Sequence, residues 1–180
     1  MRAGLRRLSG VVIAGLVGFS LAGCQPTAPP APDAALAAPA PFVKRAGMSL
    51  ADATIAVVSL DGAPPAETDD FRDALVRQFS ADGVVAADAR KARYLLRIYL
   101  AATPEPGGAS LDYVVDVFDH ARARQARLSD SFAVKGAGDP WSLMSTQALA
   151  AVASACAENV AAFLSNTPQA RPVQALSQAQ

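Results

Sequence analysis

Apolar and polar residues alternate along three segments of the chain's second half. Tyr94 to Ala102 sets Tyr94, Leu96, Ile98 and Leu100 against Leu95, Arg97 and Tyr99. Leu111 to Asp119 sets Leu111, Tyr113, Val115 and Val117 against Asp112, Val114, Asp116 and Phe118. Ala126, Leu128, Phe132 and Val134 oppose Arg127, Ser129, Ser131 and Lys135, and Asp130 interrupts the apolar side. A period of two predicts antiparallel strands with one buried and one wetter face. Pro104 to Gly108 supplies the first turn, and a polar stretch the second.

Two helices flank this meander. Thr54 to Leu60 is a short β-branched run ending at Asp61-Gly62, and it predicts a strand. Beyond Pro64 and Pro65, Thr68 or Asp69 is placed to cap a helix whose first turn holds Asp70 and Asp73. Phe71, Leu75, Val76 and Phe79 fall on one face of it, and Gly83 follows as its stop. A brief strand is expected at Val84 to Ala87. Asp139-Pro140 then opens a long helix to about Asn166. Its apolar stripe is Trp141, Met144, Ala148, Val152, Cys156, Val160 and Phe163. The expected class is α+β: a mainly antiparallel sheet of four to five strands with two helices packed on one face. Leu96, Ile98, Val115, Val117, Leu128, Phe132, Val152 and Phe163 should share one core.

Composition fixes where such a domain starts and stops. Of 180 residues, 52% are hydrophobic, but 41 are alanine and only 6% are aromatic. Arg2, Arg6 and Arg7 precede a short apolar stretch, Val11 to Ala22, with the anatomy of a secretory signal. No apolar run reaches the roughly 20 residues of a spanning helix. Residues 1–23 are thus expected to be a signal peptide. Residues 24–47, with prolines at 26, 29, 30, 32, 39 and 41, read as an extended tether. At about 3.1 Å per residue it would reach some 70 Å. A single domain is expected over 48–166, followed by a disordered tail over 167–180.

Charge and candidate chemistry narrow the function. The balance of 16 basic against 16 acidic residues falls to about −3 once the signal is removed. A mildly acidic domain has no bulk attraction for nucleic acid, so no nucleic-acid partner is expected. One histidine, three scattered glutamates and two cysteines supply no metal-ligand cluster. No metal or other cofactor is expected. His120 would have to serve any Ser-His-Asp hydrolase as base. Ser110, Ser129 and Ser131 are near in sequence, yet there is no Gly-x-Ser-x-Gly elbow in the mature chain. A solvated turn histidine outweighs catalysis, and no catalytic residue is assigned. Lys135 to Asp139 looks like a phosphate loop, but it lacks the Walker pattern and Asp139 would repel an anion. Cys156, on an apolar stripe, behaves as a small hydrophobe. His120, Arg122, Arg124 and Arg127 form a positive hairpin tip, a candidate contact for lipid phosphates or an acidic partner. Trp141 is a candidate partner anchor.

The signal ends in Leu21-Ala22-Gly23-Cys24, which resembles the bacterial lipobox. That resemblance implies cleavage before Cys24 and lipidation of its sulfur, with palmitate among the acyl chains. Gln25, where a retention signal would put aspartate, favours the periplasmic side of the outer membrane. From Thr54 to Asn166 the chain resembles small envelope lipoproteins with a TolB amino-terminal, CsgG-like α/β domain. The resemblance rests on "DDFRDALVRQF", "ARYLLRIYL", "LDYVVDVFD" and "DPWSLMSTQALAAVASACAENVAAFL". It implies a non-enzymatic, lipid-anchored accessory or scaffold protein that binds another envelope protein. A second resemblance is to the lipopolysaccharide-assembly lipoprotein that plugs an outer-membrane barrel. It implies a glycolipid partner, which the arginine tip would suit.

Overall fold

A computed structural model describes residues 42–173. The signal, Cys24, most of the tether and the end of the tail lie outside the described residues. Strand β1 (Met48–Ser49) leads to β2 (Ile55–Asp61), helix α1 (Pro65–Ala81), and then β3 (Tyr94–Glu105), β4 (Gly108–Asp119) and β5 (Arg124–Lys135). Helix α2 (Thr146–Ser165) and the short β6 (Arg171–Pro172) close the chain. The main sheet has the order β2-β3-β4-β5, and β1 pairs separately with β6. The domain is α+β as expected, with a mainly antiparallel four-stranded sheet.

The period-two pattern places the core. Leu96, Ile98, Val115, Val117, Leu128, Val152 and Phe163 are all buried in one cluster, with Phe132 partly buried against it. Along α2, Leu149, Val152, Ala153, Cys156, Ala157 and Val160 face inward. Small alanines in that stripe let the helix backbone approach the sheet closely. α2 is 20 residues long and apolar enough to cross a membrane by composition, a correction to the expectation from sequence. Most of its length is buried inside the domain instead.

Several local expectations are corrected. α1 starts at Pro65, earlier than Thr68 or Asp69, because proline is already shaped for the first helical position. Thr68 Oγ1 instead donates to the Ala63 carbonyl at 3.1 Å. Gly83 stops the helix as expected, with φ +72°. Val76 is exposed, unlike Phe71, Leu75 and Phe79. Residues 84–87 form only a bridge, from Ala86 to Ile55. The long helix predicted from Asp139 is two pieces. Asp139 Oδ1 accepts from the Trp141 amide (3.0 Å) over a 3-10 turn, and Ser145 re-caps α2 through the Ala148 amide (3.2 Å). β2 runs parallel to β3, with a bulge at Val58 between Val57 and Ser59. Parallel pairing needs a crossover, and α1 is that crossover.

Both ends of the folded region extend past 48 and 166. Phe42 packs edge-on against Phe163 (centroids 5.3 Å), which packs edge-on against Tyr94 (5.5 Å). Asn166 Nδ2 donates to the Val43 carbonyl, and the Tyr94 hydroxyl donates to Gln169 Oε1 at 2.6 Å. These contacts hold residues that composition alone assigns to a tether and a tail.

Leu96 is fully buried at the centre of the sheet, so Leu96→Ala should cost about 3 kcal/mol. Val76→Ala, on the exposed side of α1, should cost less than about 0.5 kcal/mol. Urea denaturation of both variants checks the pair; a small Leu96 effect would mean the strand faces are inverted.

Candidate functional site

Two surface regions of the sheet carry unusual chemistry, and both arise because helices cover only one face. The first is the free edge of β2. Ile55 is bridged on its outer side, where its amide donates to the Val85 carbonyl (2.9 Å) and its carbonyl accepts from Ala87 (2.8 Å). Backbone groups point outward at every second residue of a strand, so those of Val57 face the same way. No further strand takes them up among the described residues. The bulge turns Val57 and Val58 outward, 41% and 43% exposed, beside Val76 of α1 at 56%. Together with Phe79, Val84 and Ala86 they line a groove of about 410 Å³ between β2 and α1.

The second region is the uncovered face at the end where β3 starts and β4 stops. Register aligns Arg97, Asp116 and Arg127 in one row across β3, β4 and β5, and Leu95, Phe118 and Arg124 in the next. Asp116 is only 8% exposed, shielded by arginine stems. Its Oδ1 lies 3.7 Å from Arg124 Nη1 and 3.5 Å from Arg127 Nε, too far for a hydrogen bond. That oxygen is the buried side-chain polar atom without a hydrogen-bond partner among the described residues. The Arg97 guanidinium carbon sits 5.7 Å from the Phe118 ring centroid, a cation–π distance. Arg122, in the β4–β5 turn with φ +64°, completes a cleft of about 260 Å³ with Val58, Leu95, Arg97 and Phe118.

The predicted tip residues divide between two places. Arg122, Arg124 and Arg127 gather on the open face, joined by Arg97, which sequence proximity did not include. His120 faces away, in a separate hollow with Arg93, Tyr94, Asp119 and Gln169. Ser110 and Ser131 bond with Asp112 at the opposite end of β4. Nine strand residues, about 30 Å, separate Ser110 from Asp119 beside His120. The serines and His120 are therefore not assembled into a triad. Trp141 is half-buried against the core at the far end from the arginines. Among the described residues no group of His, Cys, Asp and Glu converges as metal ligands.

Two buried groups are inert by environment. Burial pushes the Cys156 thiol well above its ordinary range. Burial also raises the Tyr113 phenol, although its oxygen accepts from Asn159 Nδ2. No protein-family model matches the chain, and no curated protein matches it. In fold it is similar to the PelC dodecamer from Paraburkholderia phytofirmans, at 15% identity and TM-score 0.43, covering 69% of this chain and 92% of that one. A variant of that PelC dodecamer is similar at 13% identity and TM-score 0.45, covering 67% and 92%. A minor lipoprotein from Acinetobacter baumannii is similar at 16% identity and TM-score 0.42, covering 63% and 91%.

The raised thiol and phenol give an alkaline limit to stability. The folded state keeps both protons, while the unfolded chain releases them near the ordinary values of about 8.5 and 10. Their stabilising contribution is whole below about pH 8.5 and is lost as pH rises toward the raised folded values. The melting temperature should therefore fall above about pH 9, and Cys156→Ala should delay the onset toward the phenol range. Thermal melts from pH 7 to 11 check this. Thiol reagents should label Cys156 only on unfolding, since it is fully buried.

Proposed function

We propose that this chain is a lipid-anchored, non-catalytic accessory protein of the bacterial envelope, of the TolB amino-terminal, CsgG-like kind. Cys24 carries the anchor, on the periplasmic side and by preference at the outer membrane. The domain holds an envelope protein partner along the open edge of β2.

The contrast between the two sheet edges supports this function. An unpaired strand edge is a template for pairing with another chain, and stable proteins blunt it with charge. The β5 edge is blunted in that way by Arg124, Arg127, Asp130 and Lys135. The middle of β2 is apolar by contrast: Val57 and Val58 are exposed next to Val76 and a mainly apolar groove, with charge only at the strand's end, Asp61, and at Arg72 of α1 on the groove's rim. Exposed apolar surface beside free backbone groups suits an extended partner segment, which would add a strand and bury alternate side chains in the groove.

A photo-crosslinker at Val58 or Val76 should give one discrete envelope adduct in cells, and one at Gln125 on β5 should give none. With the crosslinker moved to Val57, which lines the same groove, Val58→Lys with Val76→Glu should abolish the adduct while moving the melting temperature by less than about 3 °C. An adduct that survives both charges would sink the β2 edge as the binding site. His120→Ala should leave cellular function intact; loss of function with an unchanged fold would revive the hydrolase alternative.

A further inference from the structure

The domain is charge-polarised along its strands. Glu67, Asp69, Asp70 and Asp73 open α1, and Asp70 Oδ2 accepts from Thr146 Oγ1 at the start of α2. Asp139 and Glu105 lie at that same end, near the turn where Gly136 donates to the Gly107 carbonyl. The opposite end, marked by Tyr94 paired with Asp119, carries Arg93, Arg97, Arg122, Arg124 and Arg127. Asp116, Asp119, Asp82 and Asp88 offset only part of this charge, since Lys44 and Arg90 add to it and Arg124 and Arg127 remain half exposed. A protein with 16 basic and 16 acidic residues thus presents one basic end.

The chain enters the domain at that basic end. Phe42 reaches Tyr94 through Phe163, and the Arg45 amide donates to Ser165 Oγ at the end of α2. The 18 residues from Cys24 to Phe42 would span about 55 Å if fully extended, so the tether also permits much closer approach. A domain held by a lipid at its basic end has the phosphates of its own membrane as the nearest anionic surface. The cleft fits a headgroup: Val58, Leu95 and Phe118 form an apolar floor, and Arg97 and Arg122 flank it.

We infer that the open sheet face at the Arg97–Arg122 end docks on the anionic phospholipid surface to which Cys24 ties the chain. This rests on the lipid-anchored function proposed above, but it concerns a different surface from the β2 groove. Docking is electrostatic, so it weakens as salt screens it beyond about 10 Å. The acidic end points away from the bilayer, which sets one orientation for the domain.

The test uses the mature chain from Cys24 made without lipid, so anchor and surface are measured apart. Mass spectrometry of Cys24 from membranes reports the anchor. Co-sedimentation with phosphatidylglycerol–phosphatidylcholine vesicles reports the surface. Binding should be clear at low salt, absent on pure phosphatidylcholine, and largely lost at about 0.5 M salt. Arg97→Gln with Arg122→Gly should weaken it about tenfold. Neither change strains the fold, since Arg122 already holds a positive φ that glycine favours. Arg127→Glu, on the same open face, provides a second, independent reversal and should weaken binding in the same direction. No vesicle binding at low salt, or binding unchanged by both sets of variants, would overturn the proposal. Binding only to lipopolysaccharide, with none to phosphatidylglycerol, would also overturn it in favour of a specific glycolipid site.

Discussion

The inner side of α2, where small alanines leave room for close neighbours, packs on α1 and on β5 and β4, and the rest of the molecule depends on that contact. Leu149, Val152, Cys156 and Val160 fill the space between the alanines and meet Leu96, Ile98, Val115 and Val117 from the sheet. Such a close-packed layer tolerates neither a larger cavity nor added volume. Phe163 extends the contact beyond the helix end, gathering Tyr94 and Phe42 and so fixing where the chain enters the domain. α1 joins the same layer through Phe71, Leu75 and Phe79, which places β2 at the sheet edge and parallel to β3. The entry point, the sheet order and the uncovered face all follow from one helix lying on one side.

Covering a single face leaves the sheet with two consequences. Its other face must be wetter, and here it is mixed: Leu95 and Phe118 lie among Arg97, Arg124 and Arg127. Asp116 sits in the middle of that row, and burying a carboxylate without a hydrogen bond is costly. Two half-exposed arginines at 3.5 and 3.7 Å offset the cost without fixing either side chain. Those guanidinium groups keep donors free for an incoming anion. The sheet also has two edges: charges that discourage pairing run along β5, whereas on β2 they are confined to Asp61 at its end and Arg72 beside it. The bulge in β2 does the opposite, turning two consecutive valines outward.

Much of this was legible in sequence wherever periodicity reports a single element. Strand faces of β3, β4 and β5 follow from alternation because one face is buried, and a one-residue slip would expose every core side chain. What periodicity cannot report is adjacency between elements. Arg97 joins the arginine group because register sets it opposite Asp116, 19 residues away in sequence. His120, next to those arginines in sequence, is turned to the other flank by the β4–β5 turn. Val76 has helical spacing with Phe79, but the edge position of β2 leaves nothing to cover it. The ends escape composition for the same reason: Tyr94 bonding Gln169 is a long-range contact that no local pattern encodes.

The two surfaces are compatible in one molecule because they lie on different boundaries of the sheet. The arginine cleft occupies the uncovered face at one end, whereas the valine groove lies between the β2 edge and α1; Val58 alone borders both. A domain resting on phosphates through Arg97 and Arg122 would still have Val57 and Val76 open at its flank. Charge polarity then decides which way that flank is presented, since the Glu67 to Asp73 end is repelled from the same phosphates. An anchor at one point by itself leaves orientation free and makes the effective concentration of the groove depend on the length between anchor and domain. Adding a weak, salt-sensitive footing converts reach into orientation. Since Val58 lines both hollows, the two proposed events would be coupled there: a strand added to β2 would contact one side of the arginine cleft.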